Sequence, residues 1–141
     1  MPTEIAFLTK GISFRLKNQK KVSVWLQMIA AAEASTIESL TYVFGSDPFV
    51  ASLNKKYLKH NTYTDILTFD YGDRKGAIIG EIYISIPRIK ENAKAFDQPF
   101  ERELHRVMAH GLLHILGYGD KSSREVALMR RKEEACLSLW A

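Results

Sequence analysis

The most constraining feature of the sequence is the apolar segment that follows Pro99, FERELHRVMAHGLLHIL. Proline suits the first turn of a helix, because the amide hydrogen that it lacks would have no intrahelical partner there. The apolar residues of this segment fall on more than one helical face: Leu104, Val107, Met108, Leu112, Leu113, Ile115 and Leu116. A surface helix carries one apolar stripe, so this breadth predicts a central helix that is mostly buried.

Shorter segments on both sides of this helix also show periodic patterns. Alternating residues and short apolar runs predict strands over 4–8, 12–16, 36–45, 63–72 and 77–86, the last two joined by a hairpin turn. Helical spacing, capping residues and prolines predict further helices over 20–35, 47–58, 88–96 and 122–140. Because strands and helices are interspersed without repeats or a long linker, we expect a single domain, 1–141, with one sheet flanked by helices, of the α/β or α+β class.

Composition excludes several classes of protein. With 46% hydrophobic and 26% charged residues, the chain is typical of globular proteins rather than disordered ones. The single cysteine, Cys136, forms no intramolecular disulfide, excludes a thiolate-rich zinc site, and lies in a pattern typical of a buried helical position. The sequence shows neither a signal-peptide pattern nor the roughly 20 apolar residues of a membrane span, so we expect a cytoplasmic protein.

The helix also carries two histidines, His110 and His114, at a spacing typical of metal ligands. Side chains four residues apart lie about 40° apart around a helix and about 6 Å apart along it, so they converge on one point. Gly117 follows where a helix ends readily in a left-handed conformation, and the reversed chain brings Asp120 to the same point. Two buried histidines satisfied by hydrogen bonds are the alternative, but histidine pairs with a carboxylate form a known catalytic zinc set.

The spacing of these residues parallels the metzincin protease motif, His-Glu-x2-His-x2-Gly-x2-His. The glutamate that acts as general base in those proteases is replaced here by Gly111. A peptidase mechanism would lack its proton acceptor at this position, which argues strongly against a protease.

Three segments together resemble the YbeY family of bacterial single-strand-specific endoribonucleases. Residues 110–120 match the signature His-Gly-x-Leu-His-Leu-x-Gly-Tyr-Asp-His at most positions, including the glycine after the first histidine. LNKKYLKHNTYTDILTF (53–69) is similar to Leu-Asn-x2-Tyr…Thr-Asp-Val-Leu-Ser-Phe, and GEIYIS (80–85) is similar to Gly-Asp-Ile-x-Ile-Ser. The resemblance implies an α+β fold with one central mixed sheet, one zinc ion, maturation of the 3' end of 16S ribosomal RNA, and association with the ribosome or its small subunit.

The sequence departs from the family pattern at two important positions. Asp120 replaces the third histidine, so the expected ligands are His110, His114 and Asp120, which would act in catalysis through the water bound to their ion. An oxygen ligand weakens the preference of the site for Zn²⁺ over Mn²⁺ or Fe²⁺. It also lowers the net charge of the site by one. The family carries an arginine after the Tyr57 position, where this chain has Leu58.

The resembling stretch supplies further candidates for RNA contacts. Lys55, Lys56 and Lys59 are candidate contacts to the RNA backbone, although lysines are commonly just solvated. Tyr57, Tyr63 and Phe69 offer stacking surfaces for unpaired bases, although we expect Tyr57 and Phe69 to lie in the core.

Other polar residues of the same segments are candidates for a supporting role. Asp65 is a candidate to orient a ligating histidine, while Asn54, Thr64 and Asp65 are also typical of caps and turns. Glu81 stands where the family has an aspartate and is a further candidate to support the site, but we expect it to be a half-exposed strand carboxylate. His60 and His105 are expected to be surface residues.

Two other functions remain alternatives to an endoribonuclease. One is a metal-dependent hydrolase of another substrate, including a peptidase with an unusual base. The other is a non-catalytic ribosome-assembly factor in which the metal only stabilises the fold.

Overall fold

The computed structural model describes residues 3–58 and 65–140. In chain order, the elements are β1 (Glu4–Lys10), α1 (Gln19–Ala32), β2 (Thr36–Gly45), α2 (Asp47–Leu58), β3 (Ile66–Asp70), β4 (Ala77–Ser85), α3 (Ile86–Ala95), α4 (Phe100–Ile115) and α5 (Ser123–Ser138). The four-stranded sheet that these residues form has the order β1-β2-β4-β3. β1, β2 and β4 run parallel, and β3 pairs antiparallel with β4, which confirms an α+β fold with a mixed sheet.

Helix α4 lies against the sheet and forms the centre of the core, as its apolar pattern predicts. It packs on β3 and β4 on one side and on α1, α3 and α5 around it. The Tyr42 hydroxyl, from the middle of β2, donates to the carbonyl of Met108 at 2.8 Å, which ties the sheet to the helix. None of the helices in the described part of the chain has the length and apolar character needed to cross a membrane.

The predicted strand over 12–16 is wrong. Residues 13–16 form no regular secondary structure, although Ile12 and Phe14 are partly buried and Leu16 is fully buried against the core. Alternation of apolar residues indicates only which side chains turn inwards, whereas a strand also needs a neighbouring strand to bond with.

His105 is not the surface residue that the sequence suggested. It is 5% exposed, and its ring lies 5.3 Å from the Trp25 ring and 4.2 Å from the Trp140 ring. This burial lowers the pKa of His105, with Lys21 adding to the effect and Glu101 opposing it. The two tryptophans come from opposite ends of the chain, so no local pattern marks this position as buried.

Candidate metal centre

The two histidines occupy the last turns of α4, and the chain reverses directly after them. Their rings lie 4.6 Å apart between centroids. Gly117 has a φ of 109°, in the region that favours glycine, and its amide donates to the His114 carbonyl at 3.0 Å. Tyr118 donates its amide to the Leu113 carbonyl, so the loop turns back along the helix. The turn that the sequence predicts from Gly117 therefore forms.

This reversal brings Asp120 against both histidines. Its Oδ2 atom lies 3.1 Å from Nε2 of His114 and 3.4 Å from Nε2 of His110. One donor atom from each of the three residues lies within 4.8 Å of the other two. The side chains are 17%, 26% and 41% exposed for His110, His114 and Asp120, so the cluster is open to a substrate on one side.

The spacing and chemistry of the donor atoms fit a divalent ion. Zinc binds nitrogen and carboxylate oxygen at about 2.0–2.2 Å, so two ligands at a tetrahedral angle are roughly 3.4 Å apart. The two distances from Asp120 to the histidines agree with that separation. Three ligands also leave a fourth position for water or substrate, as in catalytic zinc sites. Because the donors are nitrogen and oxygen atoms, manganese and iron fit them as well.

Gly111 lies where α4 approaches the sheet closely. A Cβ atom at this position would lie 2.8 Å from Cδ1 of Ile66 and 3.0 Å from Cγ2 of Ile82. Ordinary contacts between carbon atoms are about 3.5–4.0 Å, so any side chain here displaces the helix or its neighbours. The residue that departs from the protease motif is thus a packing residue, and a glutamate has no space there.

A buried carboxylate that the sequence analysis did not identify, Glu133 of α5, contacts the first histidine. Its Oε2 atom lies 2.6 Å from Nδ1 of His110, and its Oε1 atom accepts from Nη1 of Arg106 at 3.0 Å. Arg106 also forms two hydrogen bonds with Glu103, and both glutamates are 2% exposed. Burial acts to raise the pKa of Glu133, but His110 and Arg106 outweigh it and hold that pKa below its usual value.

One signal in the sequence did mark Glu133. It falls at helical spacing within the apolar stripe of α5, between Met129 and the pair Cys136 and Leu137, all of which are buried. A carboxylate in such a stripe is costly to bury without a partner, so its position indicates an ionic or hydrogen-bonded contact. The partner itself is not predictable, since Arg106 and His110 lie in another helix.

A second group of contacts holds the loop that carries Asp120. The Tyr118 hydroxyl donates to Oε1 of Glu33 at 2.8 Å, and Lys132 donates to the other oxygen of Glu33 at 2.9 Å. The Lys132 ammonium also lies 5.1 Å from the centre of the Tyr118 ring. Hydrogen bonds with Tyr118 and Glu33 raise the pKa of Lys132. The loop is therefore attached to α1 and α5 two residues before its ligand.

The candidate RNA contacts that the structure describes lie in α2 and β3. Lys55 and Lys56 are exposed in the last turn of α2, and Lys59 lies outside the described residues, as do His60, Tyr63 and Thr64. Tyr57 is 56% exposed, so its assignment to the core is wrong. Its ring meets that of half-buried Phe69 at 5.9 Å.

Asp65 and Glu81 form hydrogen bonds with residues other than the histidines. Oδ2 of Asp65 accepts from the Asn92 amide at 3.2 Å, so this carboxylate contacts α3. Glu81 is partly exposed and accepts from the hydroxyls of Tyr71 and Tyr83, at 3.0 and 3.3 Å. Asn54 is buried, at 2% exposure.

Comparison with known proteins agrees with the resemblance in the sequence. A family model described as Endoribonuclease YbeY matches residues 4–141. An Endoribonuclease YbeY of Cytophaga hutchinsonii is 44% identical over 135 residues, which cover 96% of this chain and 94% of the relative. One from Phocaeicola vulgatus is 39% identical over 137 residues, covering 96% and 97%.

Similarity of fold extends to a solved structure. The solution structure of TM1509 from Thermotoga maritima matches with a TM-score of 0.66 and 25% sequence identity, covering 95% of this chain and 88% of that chain. The sequence matches and the shared fold confirm the expected relationship: this chain belongs to the YbeY endoribonuclease family.

Proposed function

We propose that this protein is a metal-dependent endoribonuclease specific for single-stranded RNA, which acts in the cytoplasm on ribosomal RNA precursors at the ribosome or its small subunit. The observation that supports it most directly is the convergence of His110, His114 and Asp120 at an open edge of the core. Family membership supports the same substrate class, since relatives that match nearly the full chain are named endoribonucleases. Residues 1–141 would act as one domain.

The three ligands would hold one ion, with Zn²⁺ preferred and Mn²⁺ or Fe²⁺ as alternatives. A divalent ion in such a site supplies Lewis acidity, which polarises a phosphoryl oxygen and makes water a better nucleophile near neutral pH. Contacts with other side chains hold two of the ligands in place before an ion binds. Glu133 contacts Nδ1 of His110, and the contact between Tyr118 and Glu33 holds the loop that presents Asp120.

The other side chains of the chain determine how substrate would approach. The partial exposure of the three ligands would give an extended RNA strand access to the ion that they hold. Lys55 and Lys56 add positive charge for phosphate contacts, and the whole chain carries a net charge of +4. A folded duplex holds its backbone in a rigid A-form, whereas the unpaired strand adapts its backbone to the protein surface.

The decisive experiment combines elemental analysis of the purified protein with cleavage assays on single-stranded and double-stranded RNA, with and without a chelator. We expect one equivalent of bound metal, and cleavage of the single strand that stops on chelation and returns with Zn²⁺ or Mn²⁺. The test variant is His114→Ala, and the matched control is Asp73→Asn, which changes an exposed side chain of the β3–β4 turn. Cleavage should fall by at least about 100-fold in the first and persist in the second.

Other outcomes would identify a different function. A folded, metal-free His114→Ala protein that still supports ribosomal RNA maturation would establish an assembly factor without catalysis. Metal-dependent cleavage of peptides with none of RNA would establish a hydrolase of another substrate. Absence of any bound metal in the native protein would contradict the proposal as a whole.

A further inference from the structure

The buried carboxylate of Glu133 does more than fill space between α4 and α5. It is 2% exposed and lies 2.6 Å from the ring nitrogen of His110 that faces away from Asp120. We propose that Glu133 is a positioning residue, which holds the His110 ring with its proton on Nδ1 and its Nε2 atom turned towards the metal position. This inference rests on the proposed metal site and adds to it the group that orients one ligand.

The chemistry of the two partners determines where the proton lies. A carboxylate paired with an arginine is ionised and can only accept hydrogen bonds. The contact with Glu133 therefore requires a hydrogen on Nδ1 of His110. In the neutral ring the other nitrogen then carries a lone pair, and that atom is the one 3.4 Å from Oδ2 of Asp120. A metal binds only an unprotonated ring nitrogen, so this tautomer is the one that can act as a ligand.

Arg106 keeps Glu133 in place and ionised. Its Nη1 atom donates to Oε1 of Glu133 at 3.0 Å, while Nε and Nη2 form two bonds with the carboxylate of Glu103 at 2.9 and 2.7 Å. The planar guanidinium thus holds both glutamates in fixed directions. Because the arginine is only 20% exposed, water does not compete strongly for these contacts.

The charges of this network also favour a cation at the site. Glu103 and Glu133 contribute two negative charges and Arg106 one positive charge, which leaves one negative charge behind His110. Carboxylates that accept from a metal-bound histidine raise the basicity of its other nitrogen. The network would therefore strengthen the His110 ligand as well as orient it.

The experiment measures the ring tautomer and the metal affinity separately. The variants are Glu133→Leu, which removes the acceptor, and Glu133→Gln, which keeps an acceptor oxygen. The control is Glu134→Gln, a neighbouring exposed residue of α5 that pairs with Arg102. Nitrogen NMR of the metal-free protein at about pH 8, where an ordinary histidine is neutral, reports which ring nitrogen carries hydrogen. Competition with a chelator reports the Kd for Zn²⁺.

We expect His110 to be the Nδ1–H tautomer in the native protein and in Glu134→Gln, and a mixture in Glu133→Leu. The affinity for Zn²⁺ should fall about 10–100-fold in Glu133→Leu, because removing the hydrogen-bond partner of a ligating histidine typically has an effect of this size. The fall should be smaller in Glu133→Gln. If Glu133→Leu fails to fold, two measurements still test the proposal. The native protein should show the Nδ1–H tautomer of His110, and Glu133→Gln should bind Zn²⁺ measurably more weakly than the native protein.

Three results would overturn the proposal: a native Nε2–H tautomer, a zinc affinity in folded Glu133→Leu within about twofold of the native value, or no zinc binding by the native protein. A protein that binds zinc with the expected tautomer but cleaves no RNA would contradict the endoribonuclease function and leave this inference intact. RNA cleavage by the native protein, combined with an unchanged zinc affinity in Glu133→Leu, would support the endoribonuclease function and contradict the positioning role of Glu133.

Discussion

Gly111→Ala tests whether helix α4 lies as close to the sheet as the structure shows. Nothing in a helical segment requires glycine, and alanine normally stabilises a helix interior by about 1 kcal/mol relative to it. In the folded protein, however, the added methyl group meets Cδ1 of Ile66 at 2.8 Å and two carbons of Ile82 at 3.0 and 3.1 Å. The two effects have opposite signs, so the net change in the free energy of unfolding identifies the larger one.

All three contacts are shorter than the roughly 3.5–4.0 Å of ordinary carbon contacts, so side chains or the helix must move. Overpacking of this kind costs about 1–3 kcal/mol. Subtracting the helix-propensity gain of about 1 kcal/mol leaves an expected net loss of stability of up to about 2 kcal/mol. The entropy of unfolding is about 2.1 cal/mol/K per residue, so the Tm of a chain of this length falls by roughly 3 °C per kcal/mol lost. We therefore expect the Tm to fall by up to about 6 °C.

Urea unfolding of the metal-free proteins measures this change without the stabilisation that a bound ion would add. The double variant Gly111→Ala with Ile66→Val removes the nearest carbon, and we expect it to be at least about 0.5 kcal/mol more stable than the sum of the single changes predicts. Ala135→Gly, at an exposed position of α5, calibrates the propensity difference. A Gly111→Ala protein that is more stable than the native one would refute the close packing of α4.

Three further predictions concern the site and its surroundings. Asp120→Ala should abolish zinc binding at micromolar concentrations, whereas Asp120→His, measured by the same chelator competition, should retain it, because imidazole restores a third ligand. Burial lowers the pKa of His105, so below pH 6.5 the unfolded chain binds a proton that the folded chain excludes. The free energy of unfolding should therefore fall as pH drops below 6.5 and level off below the folded-state pKa. His105→Phe should flatten this pH dependence, as measured by urea titrations at several pH values. Tyr118→Phe should weaken zinc binding severalfold with little change in the helical circular dichroism signal, since it releases the loop from Glu33; an unchanged affinity would contradict that role.

The ligand cluster was largely predictable because its geometry is local. Residues four apart on a helix always face the same way, and a glycine after the last turn allows the chain to reverse. The positions of His110, His114 and Asp120 relative to one another follow from these two facts. Their role as metal ligands stays a prediction until metal is measured.

Other features were not predictable because they depend on contacts between distant segments. The alternation at 12–16 does not reveal that no strand pairs with it, and His105 gives no sign that Trp25 and Trp140 cover it. Tyr57 is apolar enough for a core, but its place at the end of α2 leaves it exposed.

The sequence by itself thus determined the secondary structure around the site, the convergence of two histidines and the family to which the chain belongs. Only the tertiary structure decided the strand order β1-β2-β4-β3, the need for glycine at 111 and the contact of Glu133 with His110. The physical reason is the range of the forces involved. Helix periodicity and turn conformation act within a few residues, whereas packing distances and buried ion pairs form between segments that meet only in the folded chain.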